Sequence, residues 1–393
     1  MIITFLIFLL IILGYFKFNI YHHIVTFISP WLLIILFGGW EISNLHKKFE
    51  LMTYIVILLF ILSYLVGSRF VSNKKVFNLK NVNNIAVKKK LFYAIILIYI
   101  VLSLLNILLA GYIPLVRMIT IGDSGYMDFG ISGLYGFYNA FANALGVFSY
   151  YLYLKTGERK YLFLTFLVIT FFILFVTRQN IISLLVEVFV VYGYVKSYVK
   201  AYKIIIFLVI FLFLFSIIGD SRSGDIRVIV EAKDEYLSLP SIIFWIYGYF
   251  YMSGVNLNNS INFTEAPYFD GSSFSTLLPN IFKKFIGLTY EYDSFLEKLN
   301  FNVSTAVQQL YNDFGLYEVI GLGFIFGFLT QKYYIRALTE RNYQNIAIYG
   351  VLLFCATFSF FINFWFFLPI IFQIPFILLF SNLILTKQYK KTL

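Results

Sequence analysis

Four arginines stand where an otherwise apolar chain turns. Arg178 lies in FLFVTRQNIISLLVEV, in a turn with almost no loop between two apolar runs. Arg222 and Arg227 follow another apolar run in GDSRSGDIR, and Arg117 stands in YIPLVRMITIGDSGYMDFG. A guanidinium is planar, permanently charged and carries a fork of donors that fits two phosphate oxygens at once. With Ser and Gly between them, Arg222 and Arg227 could surround a diphosphate with side-chain forks and backbone amides. Asp220 and Asp225 could instead pair with them and leave no site. Arg178 could equally reach out to water along its own stem. GDSG is a turn signal only, because no G-x-x-x-x-G-K-[ST] phosphate loop occurs anywhere in the chain.

The acids are fewer and more ambiguous. Glu187 sits about two and a half turns into the run after Arg178, where an ionisable group faces a bundle interior and is either functional or a polar contact between helices. Asn302, Tyr311 and Asp313 fall at the start of NFNVSTAVQQLYNDFGLYEVIGLGFIFGF. Asp313 is either a helix-start acid favoured by the dipole or a binding or base residue. Gly315, Gly321, Gly323 and Gly327 give the following run a small-residue face for close helix approach.

The elements that must hold these groups are membrane helices. The 393 residues are 61 % hydrophobic and 12 % charged, with a mean hydropathy of +0.84. Soluble domains carry about 25 % charged residues, so the composition predicts an all-α polytopic membrane protein. The net charge of +11 comes from basic residues between apolar runs, which reads as topology and not as nucleic-acid binding. One cysteine, Cys355, excludes an intramolecular disulfide, and three histidines give no His-built metal site. Apolar runs near residues 1–16, 24–40, 51–68, 91–110, 134–154, 161–177, 180–196, 203–219, 313–331, 344–361 and 364–385 predict about eleven spans. The first has no basic n-region and no small-x-small cleavage site, so it reads as a retained span. The chain divides into eight helices over 1–219, a large loop over 220–302 and three helices over 303–393.

Charge orients the predicted bundle, since Lys and Arg collect on the cytoplasmic side of short loops. With the N-terminus outside and the C-terminus cytoplasmic, twenty of the thirty basic residues fall inside, including Lys88–Lys90, Lys155, Arg159, Lys160 and Lys387. The long loop is then external, and it holds ten of the nineteen acids. Within it, residues 239–257 (LPSIIFWIYGYFYMSGVNL) are apolar enough for a further span. A partner crossing over 271–290 would bury Lys283 and Lys284 at about 2.5–3.5 kcal/mol each. We therefore read 239–257 as an interfacial or re-entrant helix rich in Tyr and Trp. Three N-x-[ST] sequons, at Asn258, Asn262 and Asn302, also lie in the loop.

The order of these features resembles a known family. A short Arg-containing turn (TRQNIISLLV) is followed by a large external loop with arginines at its start. An aromatic Y-x-x-SG-V-NL segment and N-x-S-T…Y-x-DFG-x-x-x-x-x-G then lead into a Gly-rich span. Together they resemble the Wzy-type oligosaccharide repeat-unit polymerases of O-antigen and capsule assembly. The likeness implies a GT-C-like glycosyltransferase in a bacterial cytoplasmic membrane, without cofactor or metal. Its substrate would be an undecaprenyl-diphosphate-linked oligosaccharide, and its partners membrane lipid, a chain-length regulator and a flippase. Arg178 and Arg222, with Asp220 and Asp313, would be catalytic. Arg117, Arg227, Glu187, Tyr251, Asn256, Asn302 and Tyr311 would hold substrate, with Tyr249 and Asn258 as further sugar surfaces. The base is open between Asp220, Asp313 and Glu235. An O-antigen ligase, which uses the same donor, and a lipid-linked oligosaccharide flippase are the alternatives.

Overall fold

The computed structural model describes residues 2–17, 19–71, 85–126, 128–131, 133–196, 224–285 and 294–387. Asp220, Arg222 and the apolar run over 203–219 lie outside the described residues. What is described is helical, as the composition requires. The exception is a short antiparallel ribbon in which β1 (Ile85–Val87) pairs with β2 (Leu385–Lys387). The first eight helices are α1 (Ile2–Tyr15), α2 (His23–Phe37), α3 (Leu51–Arg69), α4 (Lys89–Ala110), α5 (Pro114–Ile121), α6 (Tyr135–Thr156), α7 (Arg159–Leu174) and α8 (Arg178–Val195). Gly111 and Gly157 end α4 and α6 in the left-handed conformation that only glycine takes without steric cost. Each returns its N–H to the carbonyl four residues back, at 2.9 and 2.8 Å.

The count of eleven spans does not carry over. Among the described residues, three stretches are long and apolar enough to cross a membrane: Leu51–Arg69, Lys89–Ile121 and Arg178–Val195. Shorter apolar helices cover His23–Phe37, Tyr343–Thr357 and Leu368–Ile384. Several of the predicted runs fold as shorter helices: α1 has 14 residues, α2 15 and α7 16. The last run is divided at Phe372 into α16 (Leu368–Ile371) and α17 (Gln373–Ile384). Three apolar stretches still make this a membrane-associated chain.

The helices alternate in direction, which divides the connecting segments between two ends. Lys17, Arg69, Lys89, Lys155, Arg159, Lys196, Arg341 and Lys387 stand at one end of the bundle. The α2–α3 connection, the α7–α8 turn and residues 224–285 stand at the other.

The tightest crossing joins α3 to α14 (Leu316–Glu340). A Cβ on Gly67 would land on the Phe324 carbonyl, and one on Gly327 would land on the Tyr64 carbonyl, both well inside van der Waals contact. Ser68 Oγ donates to the Gly327 carbonyl at 3.3 Å. Backbone thus touches backbone, as the Gly323–Gly327 spacing predicts. Gly321 meets nothing within 4 Å and plays no part in the crossing.

The segment after residue 224 folds back onto this body. α9 (Ile226–Ile229) is followed by a bridge between Ser43 and Ala232, and Lys233 donates its N–H to the Ile42 carbonyl at 3.0 Å. α10 (Ser241–Phe263) contains the stretch read as interfacial or re-entrant, and it packs against protein along its length. From Ser241 to Asn262 no residue of α10 is exposed. The helix is held between the α2–α3 connection and residues 294–312, with Glu50 N donating to Asn258 Oδ1 at 2.8 Å and Ser260 Oγ donating to Asn312 Oδ1 at 2.5 Å. An apolar, Tyr-rich run satisfies either environment, and sequence alone does not separate protein cover from lipid headgroups.

Candidate functional site

A cavity of about 1010 Å³ opens at the bundle end opposite the basic cluster. One wall is the N-terminal turn of α6 with the loop before it, through Asp128, Gly130, Ile131, Tyr135 and Asn139. A second is the α7–α8 turn, residues Val176, Thr177, Arg178, Gln179 and Asn180. A third runs through Thr276, Leu278 and Pro279 to Lys283 on α12 (Asn280–Phe285), and the apolar floor is Ile362, Phe367, Leu368 and Pro369.

The α7–α8 turn is as tight as its sequence implies: only Phe175, Val176 and Thr177 separate the helices. Val176 takes φ 57° to make it, a left-handed conformation strongly disfavoured for a β-branched residue. Such strain costs about 1–3 kcal/mol and collects at functional sites. Its result is that α8 starts at the cavity. The Thr177 side chain donates to the Phe172 carbonyl at 3.2 Å and does not cap α8, so the first turn of the helix, with its share of the macrodipole, lines the cavity beside Arg178. Lys283 adds an ammonium, and its partial burial lowers its pKa from the ordinary lysine value. Among the described residues Arg178 has no carboxylate within 4.0 Å. Asn139 is only 5 % exposed, yet its side-chain oxygen has no hydrogen-bond partner among the described residues, and neither has the Gln179 amide nitrogen. Buried polar atoms of this kind are normally satisfied. Two cations, a helix N-terminus and unpartnered carboxamides around one hollow suit an anion that also carries hydroxyl or amide groups. Asp128 is the one carboxylate among the described lining residues.

The other predicted residues do not join Arg178. Arg227 is tied to Asp225, with Nε at 2.9 Å and Nη2 at 2.8 Å from its oxygens, and donates to the Leu237 carbonyl at 3.1 Å. That guanidinium holds the Asp225 carboxyl below its usual range. Arg117 lies 3.1 Å from Asp123 and 4.8 Å from the Tyr112 ring centre, beside a smaller hollow of about 210 Å³ formed around Asp123. So the arginines do not converge: of Arg117, Arg178 and Arg227, only Arg178 lines the large cavity, and its cationic companion is Lys283.

Glu187 is fully buried between helices, accepting from Ser183 Oγ at 2.6 Å. With its amide oriented by this network, Gln373 donates to both Glu187 oxygens at 2.9 and 3.0 Å. It is a helix–helix contact and not a substrate ligand. Tyr251 donates to the Lys47 carbonyl and accepts the Lys47 N–H at 3.1 Å. Asn256 donates to the Phe301 and Val303 carbonyls at 2.7 Å each and accepts from Glu297 N at 2.9 Å. These two, with buried Asn258, fasten α10 to its cover and present no sugar surface. Tyr249 packs its ring against Trp245 and Phe361. Tyr311 is buried on α13 (Ala306–Phe314), while Asn302 and Glu235 are exposed and away from the cavity lining.

Asp313 is corrected from base to anchor. It is fully buried and accepts from Gly271 N at 2.6 Å, Ser273 N at 3.1 Å and Ser273 Oγ at 2.6 Å. Ser273 also contacts Glu318 Oε1 at 2.7 Å, and Gln309 Nε2 donates to the Ser273 carbonyl at 3.3 Å. Thr276, three residues on, donates to the Phe366 carbonyl at 2.7 Å and so closes the third wall onto the floor. Hydrogen bonds to a charged group contribute about 1.5–3 kcal/mol each. Asp313→Ala is therefore expected to destabilise the protein by roughly 3 kcal/mol or more by the same reasoning. A thermal midpoint in detergent that stays at the parental value would contradict this role.

Sequence reasoning missed Lys283, Asn139, Gln179, Asn180 and Asp128 as lining residues. Asn139 carried a usable signal: with Asn143 four residues later, it puts two carboxamides on one face of an apolar helix. No protein-family model, curated protein or solved structure matches this chain.

Proposed function

We propose that the chain is a membrane glycosyltransferase that polymerises lipid-diphosphate-linked oligosaccharide repeat units, and that the large cavity is its reaction chamber. The observation that carries this reading is the meeting of Arg178, the α8 N-terminus and Lys283 in one chamber at the end away from Lys89, Lys155 and Lys196. By the distribution of charge that end faces outward, with the C-terminus cytoplasmic. The remaining apolar helices complete a GT-C-like bundle.

Transfer requires the C1–O bond to the diphosphate to break while an acceptor hydroxyl attacks C1. Arg178, Lys283 and the α8 amides take up the negative charge left on the diphosphate, which is where fixed cations lower the barrier most. The acceptor hydroxyl loses its proton as it attacks, and Asp128 receives it as general base. The Asn139, Gln179 and Asn180 carboxamides hold the sugar. A flippase supplies the substrate from the inner leaflet, and a chain-length regulator acts on the product.

The test is incubation of purified protein with a synthetic prenyl-diphosphate-linked repeat unit, followed by mass measurement. Products longer by whole repeats support polymerisation, whereas unchanged substrate refutes it. Extension only when a lipid A core is added would make the enzyme a ligase. Because guanidinium and ammonium groups serve the leaving group, chelation of divalent metal should leave the rate unchanged, and a rate that recovers only on adding metal back would overturn the mechanism.

A further inference from the structure

α4 has 22 residues and is about 33 Å long at 1.5 Å per residue. It therefore crosses a hydrocarbon core of ~30 Å by itself. Its first residues, Lys89 and Lys90, are exposed, which fixes that end in water. The chain bends at Gly111, so α5 begins where the hydrocarbon ends, on the cavity side. α5 is not built for water: Val116 is 50 % exposed and Ile119 74 %, one turn apart on a single face. The exposed Leu108 and Leu109 at the end of α4 carry the apolar surface up to this helix. Arg117 turns from that face to Asp123 and Tyr112.

We propose that α5 is bedded in the headgroup layer, with Val116 and Ile119 in the upper acyl chains. It thereby moors the loop that supplies Asp128, Gly130 and Ile131 to the cavity wall at the bilayer surface. The occupant of this face is lipid. Amphipathic helices at that depth bury their apolar face about 5–10 Å into the boundary, and α4 leaves α5 no other level. The cavity mouth then opens at the height of a lipid headgroup. This placement holds whatever the cavity binds, and does not depend on glycosyl transfer.

The test uses full-length protein with Cys355→Ala and one introduced cysteine, Val116→Cys, Ile119→Cys or Asp123→Cys, each carrying an environment-sensitive fluorophore. The proteins are reconstituted into phosphatidylcholine–phosphatidylglycerol vesicles brominated near the headgroup or near the chain end. Labels at 116 and 119 should be quenched severalfold more by the shallow bromines, while the label at 123 is quenched by neither. No quenching at 119, or stronger quenching by deep bromines, overturns the proposal. So does energy transfer between labelled copies that replaces lipid quenching. If the Val116 variant does not fold, Ile119→Cys and Thr120→Cys probe the same face.

Discussion

Arg178→Ala is expected to abolish extension of lipid-linked glycan while the protein remains inserted and folded. The guanidinium is exposed at the cavity, so its loss leaves no hole in the core. What is lost is stabilisation of charge developing on the leaving diphosphate. Removing one such donor typically costs about 10²–10³ in rate. Arg178→Lys should also be slow, because a point charge does not replace a bidentate fork. Arg227→Ala supplies the contrast. That side chain is held by Asp225 on a partly exposed surface, and such pairs are worth about 0–1 kcal/mol. Mass measurement of products from the three variants decides the matter, and equal rates for Arg178→Ala and the parent would remove Arg178 from the mechanism.

The largest effect on stability is expected at Gly327. Overpacking a core usually costs about 1–3 kcal/mol, occasionally more, because side chains can shift. Here the obstacle is the Tyr64 backbone in the middle of α3, which cannot move without parting two helices. Gly327→Leu should therefore fall at or beyond the top of that range. Gly321→Leu, on the same helix, points into open space and should be nearly neutral. A detergent melt showing the same midpoint for both would exclude the close crossing of α3 and α14.

The crossing was legible because Gly323 and Gly327 are local in sequence and small residues four apart mean the same thing in most helices. Arg178 was legible too, since an arginine in a three-residue turn has nowhere to go but the bundle end. Lys283 was not. Its place in the cavity depends on Asp313 holding Gly271 and Ser273 some 40 residues away, and the chain carries no mark of that capture. Tyr251 and Asn256 looked like a sugar surface because the groups that bind sugars are those that satisfy buried carbonyls. The carbonyls of Lys47, Phe301 and Val303 had already taken them. Arg227 misled for a similar reason: Asp225, two residues away, offered the nearer partner.

The notch at Gly67 has a consequence for biosynthesis. Its counterpart on α14 lies 259 residues further along the chain, counted from Ser68 to Gly327. A ribosome adding about 5–20 residues per second takes roughly 13–50 s to cover that distance. For that interval α3 has no α14 backbone against its groove, and whatever fills the groove must leave before the nascent protein can close.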